Sequence, residues 1–299
     1  MVRIIYATRK SQLALAQSRA FMATLSRLEP ELALEELTVT TTGDRVQDRP
    51  LAEIGGKGLF VKEIEEALVQ KRADIAVHSS KDVPAELADG LTIGCIPQRE
   101  DPRDVLISRS GAPLAELPAG SRVGTTSLRR SLELGRARPD LLIVPLRGNV
   151  DTRLRKCQEG VVDAIVLARA GLVRLGLQGL ATEVLDPSVC LPAVGQGALA
   201  IEQRAGDEVV AALLARVSDP ETTLAVSAER AVLAAVAGGC QTPVAAHAVR
   251  QGDELWLRAF LADPDGSRPR RGERRAAWPK FAGDAERVGT SLGEELIRP

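Results

Sequence analysis

Aromatic side chains are nearly absent from this chain: two Trp, one Tyr and four Phe among 299 residues, 2% of the total. The cores therefore have to be built from Leu, Val, Ile and Ala. The stacking platforms on which a single-strand nucleic-acid binder lays its bases are missing as well. Lysine is scarce: only seven of the 39 basic residues are Lys and the rest are Arg. Cationic work thus falls to a planar fork that matches carboxylate or phosphate in a bidentate way. Forty acidic residues bring the net charge to -1, which further weakens a nucleic-acid reading. Histidine is limited to His78 and His247, and Cys95, Cys157, Cys190 and Cys240 show no CxxC spacing. No metal site is expected, and a reduced, cytoplasmic setting fits this cysteine usage. No apolar run approaches the ~18 residues that span a bilayer, and the start MVRIIYATRK holds no signal-peptide core. The expectation is a protein with no membrane contact.

What the chain does have is alternation of strand and helix. Residues 3–7 read as a strand, Ser11 can cap a helix running towards Leu28, and 37–40 are β-rich. From Thr41 to Lys57 no period is sustained, which suggests a lid. Phe60, Ile64, Ala67 and Leu68 follow helical spacing, and 75–77 form a short strand that runs into the polar loop HSSKDVP at 78–84. The theme then repeats. A strand end at 122–124 leads to a helix capped by Thr126 or Ser127, and a strand at 141–144 leads to a helix from about Asp151. A strand at 164–167 leads to a helix around 172–175. Such alternation predicts parallel sheets flanked by helices, with ligands at the carboxyl ends of the strands. After Asp219-Pro220 the style changes: a helix over about 222–237 ends in Gly238-Gly239, three β-prone runs follow at 243–250, 254–261 and 270–278, and 282–297 reads as a closing helix. The fold class expected is α/β in two halves plus a small α+β C-terminal domain.

Anion capture is the clearest chemical theme. The stretch GTTSLRR at 124–130 puts hydroxyls, backbone N–H groups and two arginines at a helix start, where the free N–H groups and the dipole attract anions. Arg9, Arg147 and Arg153 repeat the placement after other strands. Lys81-Asp82, on a tight loop ended by Pro84, is the best acid/base candidate, while His78 reads as a core or loop-bracing histidine. Gly55-Gly56-Lys57-Gly58 lacks the phosphate-loop spacing and Gly195-Gln196-Gly197 lacks the third glycine of a dinucleotide fingerprint. Cys95, Cys157 and Cys190 sit among apolar neighbours and read as small hydrophobes. Cys240 follows two glycines on an open turn, which suits a nucleophile or attachment point.

Ten stretches stand in one order: ATRKSQLAL (7–15), TGD (42–44), GGKGLF (55–60), HSSKDVP (78–84), REDPRD (99–104), GTTSLRR (124–130), RGNV (147–150), AGL (170–172), GQGAL (195–199) and GGCQ (238–241). Together they resemble the hydroxymethylbilane synthase (porphobilinogen deaminase) family over nearly the whole chain. The resemblance implies two halves like periplasmic binding proteins and a third, cofactor-bearing domain. The implied boundaries are 1–97 with 198–215, then 103–191, then 220–299. It implies a dipyrromethane cofactor held by a thioether at Cys240, with Lys81, Thr125, Ser127, Arg129, Arg130, Arg147 and Gly171 around it. Arg9, Ser11, Lys57, Phe60, Arg147, Arg153, Arg174 and Gln196 are the implied substrate contacts. Asp82 is the implied catalytic carboxylate, assisting loss of ammonia and steadying the azafulvene cation left behind. The implied reaction joins four porphobilinogen units into a linear tetrapyrrole, and the implied state is a monomer. Two positions depart from the family pattern: Ser80, where a larger apolar residue is common, and Glu53, where some relatives carry a substrate-facing Lys. The competing readings are a two-lobed binder of a small anion, against which the tether cysteine argues, and a nucleic-acid binder.

Overall fold

The computed structural model describes residues 3–45, 60–236 and 242–298. The first sheet has the order β2-β1-β3-β10-β4, formed by β1 (Arg3–Arg9), β2 (Ala33–Val39), β3 (Ile75–Ser79), β4 (Leu91–Cys95) and β10 (Leu199–Arg204). The second runs β7-β6-β8-β5-β9, formed by β5 (Asp104–Ser108), β6 (Arg122–Gly124), β7 (Leu142–Val144), β8 (Ala164–Ala168) and β9 (Glu183–Val184). β11 (Val244–Gln251), β12 (Glu254–Leu261) and β13 (Arg270–Ala277) make a third, antiparallel sheet in simple meander order.

The expectation of parallel sheets needs correction, because both large sheets are mixed. β1 runs parallel to β2 and β3, but β10 is antiparallel to β3 and β4. Likewise β6 is parallel to β7 and β8, but β5 is antiparallel to β8 and β9. The reason lies in the route of the chain. β5 and β10 are the first strands after the chain crosses from one sheet to the other, so each enters its sheet from the end where β3 and β8 leave theirs. Local alternation of β and α carries no record of that reversal.

The helices follow their sequence signals. α1 (Gln12–Leu28) is capped by Ser11, whose Oγ accepts from Ala14 N–H, and it buries Ala14, Phe21, Met22 and Leu25 on one face. Leu25, Ile75 and Ile201 are fully enclosed between α1 and the first sheet, each contributing about 1.5–3 kcal/mol of burial. α2 (Thr42–Arg45) is a single turn, and α3 (Lys62–Val69) seats Ile64, Ala67 and Leu68 on the other face of the sheet. α4 (Leu128–Ala137), α5 (Val150–Gln158) and α6 (Arg169–Arg174) cover the second sheet, and α7 (Glu208–Ala215) returns to the first. α8 (Pro220–Ala235) is capped by Asp219 with Pro220 in its first turn, where the missing N–H costs nothing. α9 (Ala282–Ile297) crosses α8 so closely that a Cβ at Gly289 would lie 2.1 Å from the Ala228 carbonyl oxygen.

The two crossovers, 96–103 and 191–198, lie side by side, and α8 grips both. Glu229, fully buried, accepts from Arg99 Nη1 and Nη2 at 2.7 and 3.0 Å, from Gly195 N–H at 2.7 Å and from Ala248 N–H at 2.9 Å. One carboxylate thus ties the first crossover, the second crossover and β11 together. Buried charges persist only with partners of this kind. Gly197 sits at φ +90°, and a Cβ there would press to 2.3 Å from the Glu100 carbonyl oxygen, so the pairing of the two crossovers requires glycine.

Candidate functional site

A cleft of about 1000 Å³, partly open to solvent, lies between the two large sheets. It forms where the carboxyl ends of β1, β3 and β8 face each other, the location that open α/β sheets reserve for ligands. Arg9, Lys81, Arg130, Arg153 and Arg174 line it, against the carboxylates of Asp82 and Asp151. Two helix starts also point in: Ser11, Gln12 and Leu13 at the head of α1, and Asn149, Val150 and Asp151 at the head of α5. Their free N–H groups add partial positive charge. Gly171 contributes wall. A smaller recess of about 390 Å³ shares Arg9, Ser11 and Asp82 and is closed by Phe60, His78 and Gln17.

Each functional side chain has a local cause. Arg9 ends β1, and its guanidinium stacks over the Phe60 ring at 4.3 Å. Lys81 and Asp82 ride a 3-10 turn (Ser80–Asp82) directly after β3. That turn is pinned at both ends: Ser80 N–H donates to Ala198 O at 3.0 Å, and Arg230 of α8 donates to Pro84 O at 2.8 Å and to Ala85 O at 3.3 Å. Arg153 Nε donates to Gly148 O at 2.8 Å. Arg174 donates to Gly197 O at 2.7 Å and to Gln17 Oε1 at 3.4 Å, and Ser79 Oγ donates to the same Gln17 oxygen at 3.0 Å.

The electrostatics fit an anion site. Lys81 is open to cleft solvent yet surrounded by protein. That desolvation draws its ammonium below the usual lysine range, to about 8, against the opposing pull of Asp82. Desolvation likewise lowers Arg153 and Arg174 to about 10, aided at Arg153 by Arg130 and Arg147. Cations held close together at a cost in desolvation are stabilised by an incoming carboxylate.

The sequence-derived residues separate into groups. Arg9, Ser11, Lys81, Asp82, Arg130, Arg153, Gly171 and Arg174 converge on the cleft, and Phe60 closes the recess beside it. Arg147 lies near Arg153. Thr125 and Ser127 use their hydroxyls locally: Thr125 Oγ1 accepts from Ser127 N–H at 3.1 Å, and Ser127 Oγ caps α4. Arg129 and Gln196 point elsewhere, into a buried cluster around Asp104. Cys240 and Lys57 lie outside the described residues, as do Glu53 and most of the lid-like segment. His78 is buried within β3, and its Nε2 sits 2.9 Å from the buried Glu202 Oε2 of the neighbouring β10, so it ties two strands and no loop. Ser80 is buried against Gly195. Cys95, Cys157 and Cys190 are buried and free. Among the described residues no cluster has a metal-ligand set and no helix is long and apolar enough to cross a membrane.

Gln17, Asp104, Glu229 and Arg230 support the site and were not singled out from the sequence. Asp104 lies in the REDPRD stretch and could have been marked as a carboxylate opening a strand. The others sit in ordinary helical sequence and carry no local signal.

The family models and the sequence relatives agree with one another. Residues 4–212 match the family model "Porphobilinogen deaminase, dipyromethane cofactor binding domain", and residues 223–298 match "Porphobilinogen deaminase, C-terminal domain". The chain is 65% identical over 290 residues to a porphobilinogen deaminase of Sorangium cellulosum, covering 97% of each chain. It is 51% identical over 290 residues to that of Roseiflexus castenholzii, covering 97% of this chain and 94% of the relative. Among solved structures, the periplasmic aliphatic sulphonate binding protein of Escherichia coli is similar at a TM-score of 0.44 and 16% identity, over 78% of this chain and 70% of that one. Matching family models over most of its length, and relatives at half to two-thirds identity, place this chain in the porphobilinogen deaminase family.

Proposed function

We propose that this chain is a hydroxymethylbilane synthase: it joins four porphobilinogen molecules, with release of ammonia, into a linear tetrapyrrole in the cleft between its two large sheets. The observation that carries the reading is the convergence of five cationic side chains on one cleft that also holds the carboxylate of Asp82. Each pyrrole unit brings an acetate and a propionate, so a growing chain needs many bidentate cations. Family membership supports the same activity.

The residues present fit a dipyrromethane cofactor. A cleft wall of guanidiniums and helix starts suits a group bearing four carboxylates. When bound through a thioether at Cys240, the cofactor supplies the pyrrole terminus to which units are joined. Arg9, Ser11, Arg153 and Arg174, with Lys57 and Arg147, bind and orient the substrate's carboxylates, and Phe60 walls the recess and stacks under Arg9. Lys81, Arg130 and Gly171 hold the cofactor side, with Thr125 and Ser127 shaping the start of α4. Asp82 gives a proton to the departing amino nitrogen, and its carboxylate then faces the positive charge developing on the substrate pyrrole. The pinned turn keeps that carboxylate in place without a large entropic cost at the moment of reaction. The chain divides into domains at 1–97 with 198–215, 103–191 and 220–299, and acts as a cytoplasmic monomer.

The test is the intact mass of the purified protein, followed by peptide mapping. Two linked pyrroles on Cys240 are expected, present from expression or gained on incubation with porphobilinogen. A chain that stays unmodified and releases no ammonia is an anion binder, and the reading falls.

A further inference from the structure

Asp104 opens β5, is fully buried, and bonds to the cleft-lining Arg130. Its Oδ2 accepts from Arg129 Nη1 at 2.7 Å. Its Oδ1 accepts from Arg130 Nη2 at 2.7 Å and Nε at 3.2 Å. Gln196 Nε2 adds a bond of 2.9 Å and the Cys190 thiol one of 3.2 Å. Burial alone would push the Asp104 carboxyl up, but the two guanidiniums outweigh it and hold the group well below the ordinary carboxylate range.

The two neighbouring arginines are used differently. Arg129 is turned inward: Nη1 also donates to Leu191 O at 2.6 Å and Nη2 to Gln196 Oε1 at 3.3 Å. Arg129 is not among the cleft-lining residues, whereas Arg130 is. Asp104 holds Arg130 by Nε and Nη2, and Val166 O takes one Nη1 hydrogen at 3.1 Å. A guanidinium has five N–H donors, so two remain for a ligand among the described contacts. Two guanidiniums sharing one carboxylate leave the cluster one positive charge in excess. Inside the protein such an excess is costly until an anion meets it.

We propose that Asp104 is the positioning carboxylate of the anion cleft, locking Arg129 into the fold as a strut and aiming Arg130 at a carboxylate of the bound pyrrole chain. This inference rests on the proposed function and goes beyond it by separating the roles of adjacent arginines. It also reaches Lys81. The charges facing that ammonium are Asp82 and Asp104, which favour the proton, and Arg130 and Arg129, which oppose it.

The test compares wild type, Asp104→Asn and Asp104→Glu. The measurements are KM and kcat for porphobilinogen across pH, the fraction of chain carrying two pyrroles by intact mass, and thermal unfolding. Asp104→Asn should raise KM about tenfold with kcat falling less, lower the loaded fraction, and move the alkaline limb of kcat/KM to lower pH. Asp104→Glu keeps the charge but displaces it, so KM should rise while the alkaline limb stays in place. If both variants lose thermal stability but keep wild-type KM, loading and alkaline limb, Asp104 is merely structural and the inference is wrong. If Asp104→Asn does not fold, Asp104→Glu decides alone: an unchanged KM overturns the proposal and a raised KM with an unmoved limb supports it. A wild-type chain that consumes no porphobilinogen overturns the proposed function and this inference together. Normal wild-type turnover with unaltered variants overturns the inference alone.

Discussion

Arg230, on α8, donates through Nη2 to the carbonyl oxygen of Pro84 at 2.8 Å, two residues beyond Asp82. Helix α8 and the turn that carries Asp82 are thereby joined by one half-buried side chain. Its guanidinium is drawn below the ordinary arginine range by burial, opposed by Glu202. Replacing Arg230 with Gln removes bonds from a charged donor to carbonyls at 83–85. It should cost about 2 kcal/mol of stability. Turnover should fall further than the lost stability explains, because the Asp82 turn loses its outer anchor. Denaturant unfolding and steady-state kinetics on one preparation check both halves.

Asp82→Asn keeps the shape of the turn and removes the proton and the charge. Stability should change by under about 1 kcal/mol, while kcat falls at least about a hundredfold. Ammonia release measured beside thermal unfolding separates the two. A near-normal rate would remove Asp82 from its central role.

The affinity of the cleft should weaken on the alkaline side. The Lys81 ammonium, lowered by desolvation to about 8, is charged below that pH and neutral above it. Carboxylates therefore bind best below about pH 8, and KM should rise as pH climbs through that value. Lys81→Arg, whose charge persists, should flatten the rise.

Acid should destabilise the third sheet's junction with the crossovers. His247 is buried, and burial first, then Arg99 and Arg258, pushes its pKa down to about 3. The unfolded chain takes up a proton near the ordinary histidine value of about 6.5 while the folded one does not. Stability from this residue is therefore complete above about pH 6.5 and lost as pH falls towards 3, at up to about 1.4 kcal/mol per pH unit. His247→Asn should flatten the stability profile in that window, as read by unfolding midpoints between pH 7 and 4.

The legible parts of the sequence were those with a local physical cause. Ser11 before Gln12–Leu28 and Ser127 before Leu128–Ala137 are capping residues that act within one turn. The alternation of the C-terminal strands and the helix Ala282–Ile297 follow from periods of two and 3.6. Ends of strands are legible too, which is why Arg9 and Lys81-Asp82 stand out before their convergence is visible, with Arg153 one turn into α5; Arg174, in α6, comes only from the family resemblance. The illegible parts depend on the route of the chain. The antiparallel entry of β5 and β10 follows from the two crossovers, which no local period records. The difference between Arg129 and Arg130 is a matter of about 100° of rotation about the axis of α4, decided by where Asp104 lies, 25 residues earlier in the chain.

The sequence alone thus determined which charges stand at strand ends and turns, many guanidiniums and one acid on a tight turn, and the family to which those stretches belong. It could do so because caps, turns and strand ends are short-range effects. Tertiary structure alone decided which of those charges share a cleft and which are neutralised inside. The buried carboxylates of Asp104 and Glu229 select their arginines by distance and desolvation across segments far apart in the chain.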